Sequence, residues 1–128
     1  MIDHIGLTVS DFEQAKTFYA AALAPLGLSL LMEVTPEQSG GGAHAGFGRD
    51  GNPFFWIGTG ATPATGVHVA FTANSRSEVD AFHAAALAAG ARDNGGPGLR
   101  PHYHPNYYGA FAFDIQGNNI EAVCHRPA

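Results

Sequence analysis

The chain is short of cysteine, short of positive charge and without long apolar runs. A single cysteine in 128 residues excludes an internal disulfide, so the fold must rest on its core. That cysteine, Cys124, closes the apolar segment Ile120–Cys124, where a lone thiol reads as buried filler rather than as a nucleophile. Six Lys and Arg stand against eleven Asp and Glu, a formal net charge of -5. No basic stripe is available to neutralise a phosphate backbone or an anionic bilayer surface, so nucleic acid and membrane are excluded as partners. No apolar run approaches the roughly 20 residues needed to cross a bilayer. The N-terminus opens on a strand-like segment without a basic leader, which reads as a soluble, cytoplasmic protein. What the chain does have is 45% hydrophobic residues, ample for one core without staples.

It also has an internal repeat. Ile2-Asp3-His4-Ile5-Gly6-Leu7-Thr8-Val9 leads into a segment containing Phe18, and Gly66-Val67-His68-Val69-Ala70-Phe71-Thr72-Ala73 leads into one containing Phe82. A shift of 64 positions sets His4 on His68, Phe18 on Phe82 and Leu23 on Leu87, so two copies of one module are expected, about 1–60 and about 64–126.

Within each module the hydrophobic period changes from two to 3.6. Residues 2–9 alternate, with Ile5, Leu7 and Val9 on one face and His4, Gly6 and Thr8 on the other, as in a half-buried strand. Ser10 and Glu13 have the spacing of a capping box, and Phe12, Ala15, Phe18, Tyr19, Ala22, Leu23 and Leu26 recur at helical intervals up to Gly27. A strand over 28–34, a flexible break at 36–42, and short strands at 45–48 and 54–57 around Asp50-Gly51-Asn52-Pro53 complete module one. Module two repeats the order: a strand at 66–73, a helix from about Ser75 to Ala89, a short strand at 91–93, a Gly/Pro-rich loop over 94–106, and strands at 107–115 and 118–124. The topology is βαβββ, twice.

Ligand-type residues fall at matching addresses. His4 and His68 share one position of the repeat, both on the face with small neighbours, and Glu121 lies inside an otherwise apolar strand, where a buried carboxylate needs a partner. Two imidazoles and one carboxylate suit a single divalent ion and leave coordination positions open for substrate. The donor set does not choose among Fe, Mn, Zn, Ni and Co. Aligning Asp50–Phe55 with Gln116–Glu121 sets Phe55 opposite Glu121, so the fourth corner is apolar and Phe55 or Trp56 becomes a pocket wall. The 94–106 loop and the strand after it carry Arg100, His102, His104, Tyr107 and Tyr108. His102, His104 and the two tyrosines are candidates for proton transfer, and Arg100, Phe55, Trp56, Phe111 and Phe113 for a pocket holding a small, partly hydrophobic substrate.

The paired βαβββ modules, the histidine in the first strand of each, and the closing Asp114-Ile115-Gln116-Gly117-Asn118-Asn119-Ile120-Glu121 resemble the vicinal oxygen chelate superfamily, which includes glyoxalase I, extradiol dioxygenases and bleomycin-resistance proteins. The resemblance implies an α+β fold in which the two modules curl into an open, barrel-like mixed-sheet cup with helices outside. It places His4, His68 and Glu121 at three metal positions of the superfamily. It also implies lyase, isomerase or dioxygenase chemistry and a homodimer, in some members with His4 and Glu121 of one site drawn from different chains. Phe55 in place of a second glutamate departs from standard glyoxalase I. His102 or His104 matches the auxiliary histidine of the extradiol enzymes, whereas Phe111 or Phe113 stands where those enzymes carry a tyrosine. The alternative within the same superfamily is a metal-free binding protein of the bleomycin-resistance type.

Overall fold

A computed structural model describes Met1–Ala128. The strands form two mixed sheets. In the first, β1 (Ile5–Val9), β2 (Ser29–Val34), β3 (His44–Arg49) and β4 (Asn52–Thr59) are ordered β1-β4-β3-β2. In the second, β5 (His68–Thr72), β6 (Arg92–Asp93), β8 (Tyr108–Phe113) and β9 (Asn119–Cys124) are ordered β5-β9-β8-β6, and the two-residue β7 (Gly98–Leu99) pairs with β8. In both, the first strand of the module runs parallel to the last and lies at a sheet edge. The sheets do not close into a barrel, and β7 is an addition to the expected topology.

The helices are amphipathic and cover one face of each sheet. α1 (Phe12–Leu23), extended by a 3-10 turn over Ala24–Leu26, lies on the first sheet; α3 (Arg76–Ala88) lies on the second and also packs against α1. Leu7, Val9, Phe47, Phe55 and Ile57 from the first sheet and Phe71, Ala110, Ala112, Ile120 and Ala122 from the second join Phe18, Tyr19, Leu23, Val79 and Phe82 in one core. Side-chain alternation then turns Gly6, Thr8 and Trp56 on one sheet, and Ala70, Phe111 and Glu121 on the other, to the faces without helices. Neither helix is long and apolar enough to cross a membrane.

Two local expectations are corrected. The N-cap of α1 is Asp11, whose Oδ1 accepts the Gln14 N–H at 3.1 Å, not Ser10; the backbone N–H of Ser10 donates to Gln116 instead. The supposed flexible break over 36–42 contains a four-residue helix, α2 (Pro36–Ser39), because Thr35 and Gln38 complete a capping box of their own and Gly40 takes φ 73° to end it.

The closing motif ties the modules together. Asp114 is buried, and its Oδ1 accepts from the backbone N–H groups of Gln116 and Asn118, both at 2.9 Å. Its Oδ2 accepts from the Tyr19 hydroxyl of α1 at 2.5 Å. Asn118 accepts from Val67 N–H and donates to Ala64 O, and Gln116 donates to Thr8 O and Ala64 O. Most of the conspicuous motif thus holds the linker and the first helix against the last hairpin, and Asn119 and Glu121 belong to the open face.

Candidate functional site

Glu121 is 1% exposed, yet it is not orphaned. β9 carries it to the open face of the second sheet, paired with Ala70 of the parallel β5 and Phe111 of β8. His68, two residues before Ala70, shares that face, and its Nε2 lies 2.8 Å from Glu121 Oε1. The other oxygen, Oε2, accepts from the Tyr107 hydroxyl. A buried carboxylate with both oxygens satisfied avoids most of the cost of burying its charge. The Tyr107 hydroxyl is held well above the ordinary phenol range, first by burial and then by the bond to Glu121 and its negative charge. It is a proton donor to the carboxylate and stays protonated at neutral pH. The Phe111 ring, 6.2 Å from that of His68, forms the adjacent wall.

The separation of His68 from Glu121 fits a shared ion. Metal–ligand distances of about 2.1 Å set two ligands at a right angle about 3.0 Å apart, and His68 Nε2 and Glu121 Oε1 already stand at 2.8 Å. His4 does not join them. It precedes β1, is exposed, and turns Nδ1 to Asp3 Oδ2 at 2.7 Å. Both histidines line a cavity of about 500 Å³ between the free edges of β1 and β5. Even so, no group of three His, Cys, Asp or Glu side chains in the chain stands close enough to hold an ion.

The counterpart of Glu121 in module one is Trp56, not Phe55. Gly6 pairs with Trp56 as Ala70 pairs with Glu121, and Gly6 and Ala70 share one position of the repeat. The gapless alignment slipped because the hairpins differ. β3 and β4 join through the two-residue turn Asp50-Gly51, both at positive φ, with a bulge beside Gly48; β8 and β9 join through the five residues 114–118. Phe55 therefore faces the core, fully buried between Tyr19 and Phe71 rings at 4.9 and 5.1 Å, although it also backs the inter-module cavity. Trp56 lies half-buried over Gly46, where a Cβ would meet its ring at 2.8 Å.

The remaining candidates divide. Tyr107 reaches the carboxylate. Tyr108, the next residue, points to the helix face, where its hydroxyl donates to Asp80 at 2.6 Å and its ring lies under Arg76. Arg100 donates to the carbonyls of Gly96 and Gly98 and covers the Phe111 ring at 5.4 Å, bracing the loop. Arg92 covers Phe113 at 5.1 Å. His102 is exposed and its ring meets that of Tyr103 at a tilt of 47°, with no hydrogen bond to Glu121 or His68. His104 bonds to His125, a residue that sequence position alone marks as solvated surface.

The chain matches the Glyoxalase/Bleomycin resistance protein/Dioxygenase superfamily over residues 1–122. Among solved structures it is similar to a glyoxalase/bleomycin resistance protein from Albidiferax ferrireducens T118, at 31% identity and TM-score 0.82, covering 97% of this chain and 98% of that one. It shares its fold with glyoxalase I from Zea mays, at 22% identity and TM-score 0.72, covering 96% of this chain but 45% of that one. A glyoxylase/bleomycin resistance protein/dioxygenase domain from Frankia sp. EAN1pec has the same fold at 17% identity and TM-score 0.73, with 98% of both chains covered. No curated protein matches the sequence. On the profile match and the near full-length likeness at 31% identity, the chain belongs to the glyoxalase/bleomycin resistance protein/dioxygenase superfamily.

Proposed function

We propose that the protein is a metal-dependent enzyme acting on a small molecule with two adjacent oxygens, and that His68 and Glu121 of one chain hold the ion together with His4 of a second copy. The observation that carries this reading is the pairing of His68 Nε2 with Glu121 Oε1 at 2.8 Å on an open sheet face, a ready edge of a coordination sphere that lacks its third donor. When bound, a divalent ion of the Fe, Mn, Zn, Ni or Co type supplies Lewis-acid polarisation of the substrate oxygens. The chain's own part is to orient and to exclude water. Tyr107 fixes the far oxygen of Glu121, Phe111 supplies an apolar wall, and Trp56 occupies the corner where a second carboxylate would otherwise ligate. With three protein ligands rather than four, open positions remain for a chelating substrate. That arrangement favours lyase, isomerase or dioxygenase chemistry other than that of standard glyoxalase I.

A second reading, metal-free binding of a small ligand, is favoured by the same carboxylate, because Tyr107 and His68 satisfy both its oxygens without an ion. Elemental analysis of protein purified without chelator or histidine tag separates the two. About one divalent ion per chain, lost in His68→Ala and Glu121→Ala, is expected of the enzyme; a wild-type protein that carries no metal and takes up none on titration rejects it in favour of the binder.

A further inference from the structure

Two histidines that the proposed ligand set does not use meet beside the tyrosine of the Glu121 carboxylate. His104 lies in the loop before β8, and its Nδ1 accepts the backbone N–H of Asn106 at 3.0 Å, which puts the proton of the neutral ring on Nε2. That Nε2–H donates to Nδ1 of His125, just beyond the end of β9, at 2.5 Å. The rings meet edge to edge and nearly coplanar, with centroids 4.8 Å apart and planes 24° apart. The Tyr107 ring meets both edge-on, at 5.5 Å and 72° from His104 and at 5.3 Å and 87° from His125. Tyr103 packs against the Tyr107 ring at 4.8 Å, and the backbone N–H of Tyr107 donates to His104 O at 3.1 Å. A phenol walled by three rings has little rotamer freedom, and in the orientation left to it the hydroxyl reaches Glu121 Oε2.

We infer that His125 is a positioning residue for the Glu121 carboxylate, acting through His104 and Tyr107. The inference rests on the reading of Glu121 as a metal ligand. With Oε2 held by the tyrosine hydroxyl, Oε1 alone is presented on the His68 side, so the carboxylate is oriented to bind through one oxygen. A partner of this kind outside the coordination sphere sets ligand orientation and hence affinity. β9 carries Glu121 and ends one residue before His125, so a single strand supplies both the ligand and the anchor of the loop that orients it.

The test is a double-mutant cycle on Co²⁺ affinity, read by absorption titration of the metal-free protein. His125→Ala and Tyr107→Phe are each expected to weaken Co²⁺ roughly tenfold. The double variant should bind no more weakly than Tyr107→Phe alone, since one route is cut twice. His125→Asn, whose side-chain oxygen replaces Nδ1 as acceptor, should recover most of the loss. Amide exchange at Asn106 and Tyr107 should rise in His125→Ala and return to normal in His125→Asn, a readout independent of metal. Wild-type Co²⁺ affinity in His125→Ala, additive losses in the double variant, or unchanged exchange overturns the clamp and leaves the metal reading standing. A wild-type protein that binds no Co²⁺ overturns the metal reading, and this inference with it.

Discussion

If the ion is shared between copies, two inactive variants should repair each other. His4→Ala removes the donor that module one contributes, and Glu121→Ala removes one that module two contributes, so neither variant alone completes a site. In a mixed dimer one site combines both defects. The other draws intact His4 from the Glu121→Ala chain and intact His68 and Glu121 from the His4→Ala chain. Random pairing of equal amounts makes about half of the dimers mixed, each with one whole site, which gives about 0.25 ion per chain against about one in the wild type. The assay is co-expression with two distinguishable tags other than polyhistidine, tag removal, and elemental analysis beside each variant alone. Sites built within one chain predict no recovery at any mixing ratio. A mixture as empty as its parents, beside a wild type that is loaded, would refute the reasoning from the separation of His4 and the His68–Glu121 pair.

Other expectations test the frame that positions the site. Asp114→Ala leaves the buried Tyr19 hydroxyl and two backbone N–H groups without their acceptor, and with about 1–3 kcal/mol for each buried group left unpaired the loss of stability should be about 4 kcal/mol by urea unfolding; a loss under about 1 kcal/mol would mean that the motif is not an inter-module tie. The Tyr19 hydroxyl is held well above the ordinary phenol range by burial and then by the Asp114 charge. A raised folded value means that its contribution is complete below about pH 10 and is lost as pH rises further, at up to about 1.4 kcal/mol per pH unit; Tyr19→Phe should flatten that alkaline slope in the same unfolding assay, and an unchanged slope would remove Tyr19 from the account. Trp56→Glu puts a carboxylate at the positional counterpart of Glu121 and should tighten Co²⁺ by about tenfold, roughly 1.4 kcal/mol; weaker binding would show that the Trp56 corner does not face the ion.

The repeat made the architecture legible. Alternation in the segments around His4 and His68 and the helical spacing of Phe12 to Leu26 are produced by one-sided burial, and one-sided burial is what both sheets show. Three things were hidden for physical reasons. The Asp11 cap was masked because Ser10 and Glu13 also satisfy the capping-box spacing, while a contact with Gln116, 106 residues away, takes the Ser10 amide. The identity of the fourth corner depends on a bulge and a two-residue turn, which shift strand pairing without leaving a gap in the sequence. The role of His125 depends on the path of a loop whose course is set by Arg100 and its carbonyl partners rather than by any periodic pattern. His68, Glu121 and Tyr107 come together because β5 and β9 are parallel neighbours and Tyr107 precedes β8, which pairs with β9. Pattern supplied the strands, but only pairing brought the side chains together.

The same pairing explains why His4 stands apart. Each sheet carries its own helix, the helices pack on one another, and Asp114, Gln116 and Asn118 tie Tyr19, Thr8, Ala64 and Val67 into one bonded unit. These bonds, including the charge-assisted one from Tyr19, hold the two modules in a fixed relation in which His4 stays outside the His68–Glu121 pair. A second copy can bring its His4 to the His68–Glu121 edge with every one of these bonds intact. The free edges of β1 and β5 leave both strands able to take a neighbour without rearrangement. On the proposed reading the tie between modules and the incomplete ligand set belong together: with these bonds holding the chain rigid, the third donor would come from a second copy.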